Sequence, residues 1–264
     1  MEKATSTTAM SLIKTLSSQG NRVFTTKLVK SLGETLTPQS SSIKKLLANM
    51  KSEGWIHSLK KGLYELEDIF LEGVPIHEFE IAMALVENGC ISFYSAYHYH
   101  GLTEQLPKVV FVSTLQNTTT PLVKSKRICT IKGVEYRFVQ FTEGLFFGHD
   151  QIWINNAKKI TITDLERTLL DGLRSPQYCG GFQEVLHAFQ ISKDKINKEK
   201  IIKYAEQMES SVGKRLGYIF EKLDIEGKHL KPLLNISTKG YNKLDPSRPK
   251  KGFYNKKWMI IENK

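Results

Sequence analysis

The first 67 residues change hydrophobic period, from helical to alternating, and that change restricts the fold more than any bulk property of the chain. Ala9, Leu12, Ile13 and Leu16 recur at i, i+3, i+4 and i+7, the spacing of one helix face, and the stripe stops before Ser17, Ser18 and Gly20. Phe24 then precedes Thr25 and Thr26, whose hydroxyls can cap a second helix with Leu28, Val29 and Leu32 on its buried side. Gly33 is the expected left-handed stop, which makes that helix about two turns long and leaves GETL as a turn. Thr37 followed by Pro38 reads as an N-cap with a first-position proline, whose missing N–H has no helical partner to lose. The third helix carries Ile43, Leu46, Leu47 and Met50 toward the core. Trp55, Ile56 and His57, and then Leu63 through Leu66, alternate with period two around Lys60, Lys61 and Gly62, the pattern of two short strands and a turn.

Three helices followed by a basic β-wing predict a winged helix-turn-helix over residues 1–67. The outward face of the third helix holds Gln39, Ser40, Ser41, Lys44, Lys45, Ala48 and Lys51. Short side chains let the backbone approach a major groove, Gln and Ser bond base edges, and Lys neutralises phosphate. The candidate DNA-binding residues are therefore Thr26, Gln39, Ser40, Ser41, Lys44 and Lys45, with Lys60 and Lys61 on an adjacent backbone.

Charge supports a polyanionic partner. The formal net charge of +11 divides into +5 over 1–67, −3 over 68–190 and +9 over 191–264. Two basic ends around a mildly acidic middle suit nucleic acid first and an anionic membrane surface second, although lysine-rich surfaces also serve solubility. With 264 residues, 40% of them hydrophobic, the chain is long enough for a sizeable core. No apolar run approaches the roughly 18–20 residues of a membrane helix, so no membrane partner is expected. MEKATSTTAM does not read as a secretory signal, which makes the cytoplasm the expected location. Cys90, Cys129 and Cys179 are odd in number and far apart, as befits buried reduced thiols.

DIFLEGVP, residues 68–75, reads as a linker to a larger domain over 76–264. A helix from Ile76 to Glu87 is expected there, then a second over ISFYSAYHYHGL to Gly101. Strands follow in KVVFVST, on either side of the Lys132-Gly133 turn, and in residues 151–154, forming a small mixed sheet. ITDLERTLLDGL is a helix with Thr163 as N-cap and Glu166 completing a capping box. Its spacing places Asp164, Arg167 and Asp171 on an exposed flank as surface ion pairs. Three more helices are expected over 182–189, 198–208 and 212–223, giving an α+β chain with helices flanking the sheet.

Asp164, Glu166 and Asp171 invite a metal-nuclease reading, but a cap and two flank positions on one helix do not converge on one ion. His98 and His100 point about 200° apart on a helix and cannot share a metal there. GxGxxG, P-loop, GxSxG and HExxH signatures do not occur. No catalytic set, cofactor or metal is expected. Between Lys239 and Lys257 stand seven basic residues and one acid, with Tyr241, Phe253 and Tyr254 interleaved. That tail is either a stacking surface for RNA or single strands, or a solvated loop pinned by its aromatics.

Several strings, taken in order, resemble AbiEi-family antitoxins of type IV toxin–antitoxin (abortive infection) systems. They are the amino-terminal winged-helix pattern, SFYSAYHYHGLTEQLP over 92–107, ITDLERTLLDGL ahead of Pro176 and Gly180-Gly181, GKRLGYIFE over 213–221, and YNKLDPSRPKKG closing in WMIIEN. The resemblance implies a winged helix that represses its own operon at operator repeats on double-stranded DNA. It also implies a carboxy-terminal domain that counteracts a nucleotidyltransferase-like toxin without a required stable complex. An orphan winged-helix regulator would present the same sequence, and a metal-dependent nuclease is the remaining alternative.

Overall fold

The structure is a computed structural model and describes residues 2–36, 40–70, 73–121, 125–154, 158–225 and 227–263; the side chains of 2–6, 33–36, 40–42 and 68 lie outside that description. The chain is an α+β protein. Its elements begin with α1 (Glu2–Ser18), β1 (Val23–Thr25), α2 (Thr26–Leu36), α3 (Ser40–Ser52), β2 (Ile56–Lys60), β3 (Leu63–Leu66) and α4 (Glu78–Leu85). They continue with β4 (Cys90–Ile91), α5 (Phe93–Tyr99), β5 (Val109–Leu115), β6 (Ile128–Ile131), β7 (Val134–Phe141), β8 (His149–Ile154) and β9 (Lys158–Thr163). The remainder is largely helical: α6 (Leu165–Arg174), α7 (Phe182–Ser192), α8 (Lys198–Gln207), α9 (Ser210–Lys222) and α10 (Gly227–Asn235), then β10 (Asn242–Lys243), β11 (Phe253–Asn255) and β12 (Ile260–Glu262). Three sheets have the orders β1-β3-β2, β6-β7-β5-β4-β9-β8 and β10-β12-β11.

Packing divides the chain into two compact units, one of residues 1–89, 118–137 and 151–160, the other of 90–117, 138–150 and 161–264. Residues 76–89, expected beyond a linker, fall in the first unit. Its core is built from the stripes that the sequence displays: Leu12, Ile13 and Leu16 of α1, Val29 of α2, and Ile43, Leu46, Leu47 and Met50 of α3 are all buried. The antiparallel pairs Phe24↔Tyr64 and His57↔Glu65 fix the registers of β1 and β2 on the central β3. A buried Arg22 locks α4 onto this unit: its guanidinium donates to the Val74 and Pro75 carbonyls at 2.7 and 3.2 Å and pairs with Glu80.

Two expectations are corrected here. The second helix does not stop at Gly33; α2 runs through it to Leu36, so GETL is helix and not turn, because a glycine inside a helix weakens it without ending it. The helix expected from Ile76 to Glu87 is α4, which starts after the His77 N-cap, whose ring accepts from Phe79 N at 3.1 Å, and ends at Leu85.

In the second unit, α5 to α10 and the segment around Trp258 share one core. β4 pairs antiparallel with β5 through Cys90↔Ser113 and parallel with β9 through Ile91↔Ile162. Trp258 is fully buried against α9: a Cβ placed on Gly217 would lie 2.0 Å from its ring, so only glycine fits beneath it.

The α6 region differs from expectation in three respects. Thr163 ends a strand instead of capping, and the N-cap is Asp164, whose carboxylate accepts from Arg167 N at 2.8 Å. The helix starts at Leu165 instead of Ile162 because Ile162 is needed in the sheet. The pairs expected at the surface are interior: Arg167 is 2% exposed and Asp171 0%, since α5, α7, α8 and α9 all pack on α6. Similarly, Cys90 and Ile91 form a strand ahead of α5. α10, with Pro232 inside it, has no counterpart in the sequence reading, and two short strands, β10 and β11, stand within the segment expected as a loop.

Candidate nucleic-acid interface

α2, α3 and the β2–β3 turn place the candidate residues of the first unit. Thr25 Oγ1 accepts from Leu28 N at 3.2 Å and so caps α2. Thr26 instead faces the turn: its N–H donates to the Gly62 carbonyl at 2.9 Å, and its hydroxyl lies 3.5 Å from the same oxygen. Gly62 takes φ +79°, a left-handed turn conformation natural to glycine. Thr26 thus joins the start of α2 to the turn that carries Lys61.

The inward stripe of α3 leaves Lys44, Lys45, Ala48 and Lys51 exposed. Lys60 ends β2 and Lys61 begins the turn, both exposed. Lys60 also faces Cys129 on β6, where its charge partly offsets the burial that raises the thiol's pKa. Among the described residues no carboxylate pairs with Lys44, Lys45, Lys60 or Lys61, whereas Lys27 is taken up by Glu87 and Lys132 reaches Glu65 at 2.7 Å. Gln39, with Thr37 and Pro38, lies outside the described residues; Ser40 and Ser41 open α3, but their side chains lie outside the description. Lys30, exposed on α2 and not paired to a described carboxylate, is absent from the sequence candidates, because periodicity marks only the buried side of that helix.

The acidic residues of the second unit form a different kind of site. Asp164 accepts from Tyr204 Oη at 3.0 Å and lies 3.1 Å from Lys200 Nζ; Glu166 accepts from Asn197 N at 2.9 Å and lies 3.0 Å from the same ammonium. Burial works against the Lys200 charge, but hydrogen bonds to Glu166 and Asp164 prevail and raise its pKa above the ordinary lysine value. Burial and the Asp164 carboxylate push Tyr204 up to about 12. Arg167 Nε donates to Asp171 Oδ1 at 2.9 Å, and the guanidinium lies over Phe147 and Phe141 at 4.5 and 5.1 Å. Burial raises the Asp171 pKa, with Arg167 opposing it. Each carboxylate here has at least one structural partner, although Asp171 Oδ2 and Arg167 Nη1 are buried without a hydrogen bond to any described residue, and among the described residues no group of three or more His, Cys, Asp or Glu is arranged to hold a metal ion. His100 Nε2 bonds the Thr163 carbonyl at 2.7 Å, while His98 is exposed.

No described helix is long and apolar enough to cross a membrane. These features define an α+β protein with an exposed basic helix and turn in one unit and a buried ionic network in the other. No family model matches the chain, and no curated protein matches it. In fold it is similar to the crystal structure of the Rv2827c protein from Mycobacterium tuberculosis, at a TM-score of 0.59 over 97% of this chain and 91% of that one, with 12% identity.

Proposed function

We propose that the first unit is a winged helix-turn-helix that binds double-stranded DNA, and that the protein is a transcriptional repressor acting on its own operator. The carrying observation is the order α1, β1, α2, α3, β2, β3 with β3 central in its sheet, joined to exposed lysines on α3 and at the β2–β3 turn that have no described carboxylate partner. In that reading α3 enters the major groove and the turn follows the adjacent backbone. Thr26 positions the turn through Gly62. The resemblance to AbiEi antitoxins extends the proposal: the repressor counteracts a nucleotidyltransferase-like toxin, without requiring a stable complex with it.

Footprinting and mobility shift on the gene's own upstream region test the DNA reading. Lys44→Glu with Lys45→Glu should weaken duplex binding at least a hundredfold while circular dichroism stays native. With about six phosphate contacts per protomer, log affinity against log salt should slope near −5. No protected bases at low ionic strength, or affinity that survives the charge reversal, would sink the assignment of α3. Co-expression with an adjacent nucleotidyltransferase-like gene tests the antitoxin role, where rescue of growth is expected.

A further inference from the structure

The basic carboxy-terminal region sets exposed aromatic rings beside exposed lysines, and these residues are separate from those of α3. An open surface depression of about 580 Å³ lies between Ser210, the first residue of α9, and the segment from Ser237 to Asn242, with Lys239 and Lys250 among its lining residues. Tyr241 also lines it, and its ring meets Tyr254 edge-on with centroids 4.9 Å apart. Tyr254 is 59% exposed and Phe253 84% exposed, both on β11, an edge strand of its sheet. Successive strand residues face opposite ways, so the two rings present stacking faces on both sides of that edge. Neither is consumed by the core.

The surrounding charges are unbalanced in a specific way. Lys243 is tied to the Pro246 and Arg248 carbonyls, Lys257 pairs with Glu221, and Arg248 lies 3.5 Å from Asp245. Lys239, Lys250, Lys251 and Lys256 are exposed and have no ion-pair partner among the described residues. The carboxylate at the start of α9, Glu209, does not offset them: burial raises its pKa, but hydrogen bonds from Arg174 at 2.8–3.2 Å outweigh that and hold it ionised and paired. Asp245 is buried and accepts from Ser247 N at 2.9 Å.

We infer that this surface binds a single-stranded nucleic acid, with a phosphate in the open depression that Lys239 and Lys250 line and an unstacked base against the Tyr241–Tyr254 pair. Free lysines beside exposed rings match a chain that offers alternating phosphates and π-faces. A duplex keeps its bases stacked inside and cannot reach the rings.

Fluorescence anisotropy on the full chain tests this, with labelled oligouridylate and oligodeoxythymidylate of about a dozen nucleotides and an unlabelled duplex of unrelated sequence as competitor. Wild type should bind at least one oligomer. Tyr254→Ala should weaken binding about tenfold, and Lys239→Glu with Lys250→Glu should weaken it further and flatten the salt dependence. Both sites are exposed or at the rim, and thermal melts should match wild type. Lys44→Glu with Lys45→Glu should leave single-strand affinity unchanged, so failure here and failure of the α3 reading are separable. Absence of binding at low salt, wild-type affinity in the Tyr254 and lysine variants, or equal competition by the duplex would each overturn the inference.

Discussion

α3 and α6 are amphipathic helices with charged residues beside an apolar stripe, and the two carry those charges to opposite fates. On α3 the stripe of Ile43, Leu46, Leu47 and Met50 is buried, and Lys44 and Lys45 remain in solvent. On α6 the flank is interior as well: Arg167, Asp164 and Asp171 are shielded by neighbouring helices and two phenylalanine rings. A helix at the edge of a core leaves its polar face free to meet a ligand. A helix surrounded by others has only internal partners for its charges: Arg167 and Asp171 meet through one hydrogen bond, and Arg167 Nη1 and Asp171 Oδ2 stay buried and unbonded.

The largest effect should separate the two helices directly. Arg167→Ala leaves Asp171 buried without its cation and should lower unfolding free energy by about 3–5 kcal/mol in urea titrations. Replacing both partners, Arg167→Met with Asp171→Leu, should recover much of that loss, because the penalty comes from an isolated charge. If the single variant is as stable as wild type, the pair is not buried as described. Next, Leu47→Ala should destabilise the first unit by about 2–5 kcal/mol, showing that α3 is held by its stripe.

A smaller, pH-dependent effect belongs to the second unit alone. Burial, reinforced by the Arg167 charge, lowers His149 from 6.5 to about 4. The folded protein therefore holds fewer protons than the unfolded chain between those values, so stability is full above pH 6.5 and falls as pH drops toward 4. After allowance for solvent screening the loss should be about 2 kcal/mol, and it should vanish in His149→Gln when acid titrations of the two proteins are subtracted. The smallest effect closes the comparison: Lys44→Glu with Lys45→Glu should change stability by no more than about 0.5 kcal/mol. A larger change would mean that these lysines are structural, as Arg167 is.

What could be read from the sequence was local. The stripes of α1 and α3, and the β6–β7 turn at Lys132 and Gly133, with φ of 50° and 79°, depend on residues a few positions apart. What could not be read depends on distant partners. β9 does alternate Ile160 and Ile162 with Thr161 and Thr163, but its end overlaps the helical pattern of ITDLERTLLDGL, and what assigns Ile162 to the sheet is its pairing with the distant Ile91. Periodicity identified one buried face of α6 but held no information on how many helices would pack around it. Thr26, a candidate DNA contact, also bonds Gly62 across 36 positions, a link that no local pattern carries. The lysines of α3 were legible as exposed because their stripe is complete, while Gln39 lies outside the described residues.

Within the sheet β10-β12-β11, the strand latest in sequence is the middle one, and Trp258 just before it fills the slot over Gly217. The ring and the glycine it covers are far apart in sequence, so this part of the core cannot be completed locally: until Trp258 is in place the notch on α9 has nothing to fill it, and the core closes through a long-range contact.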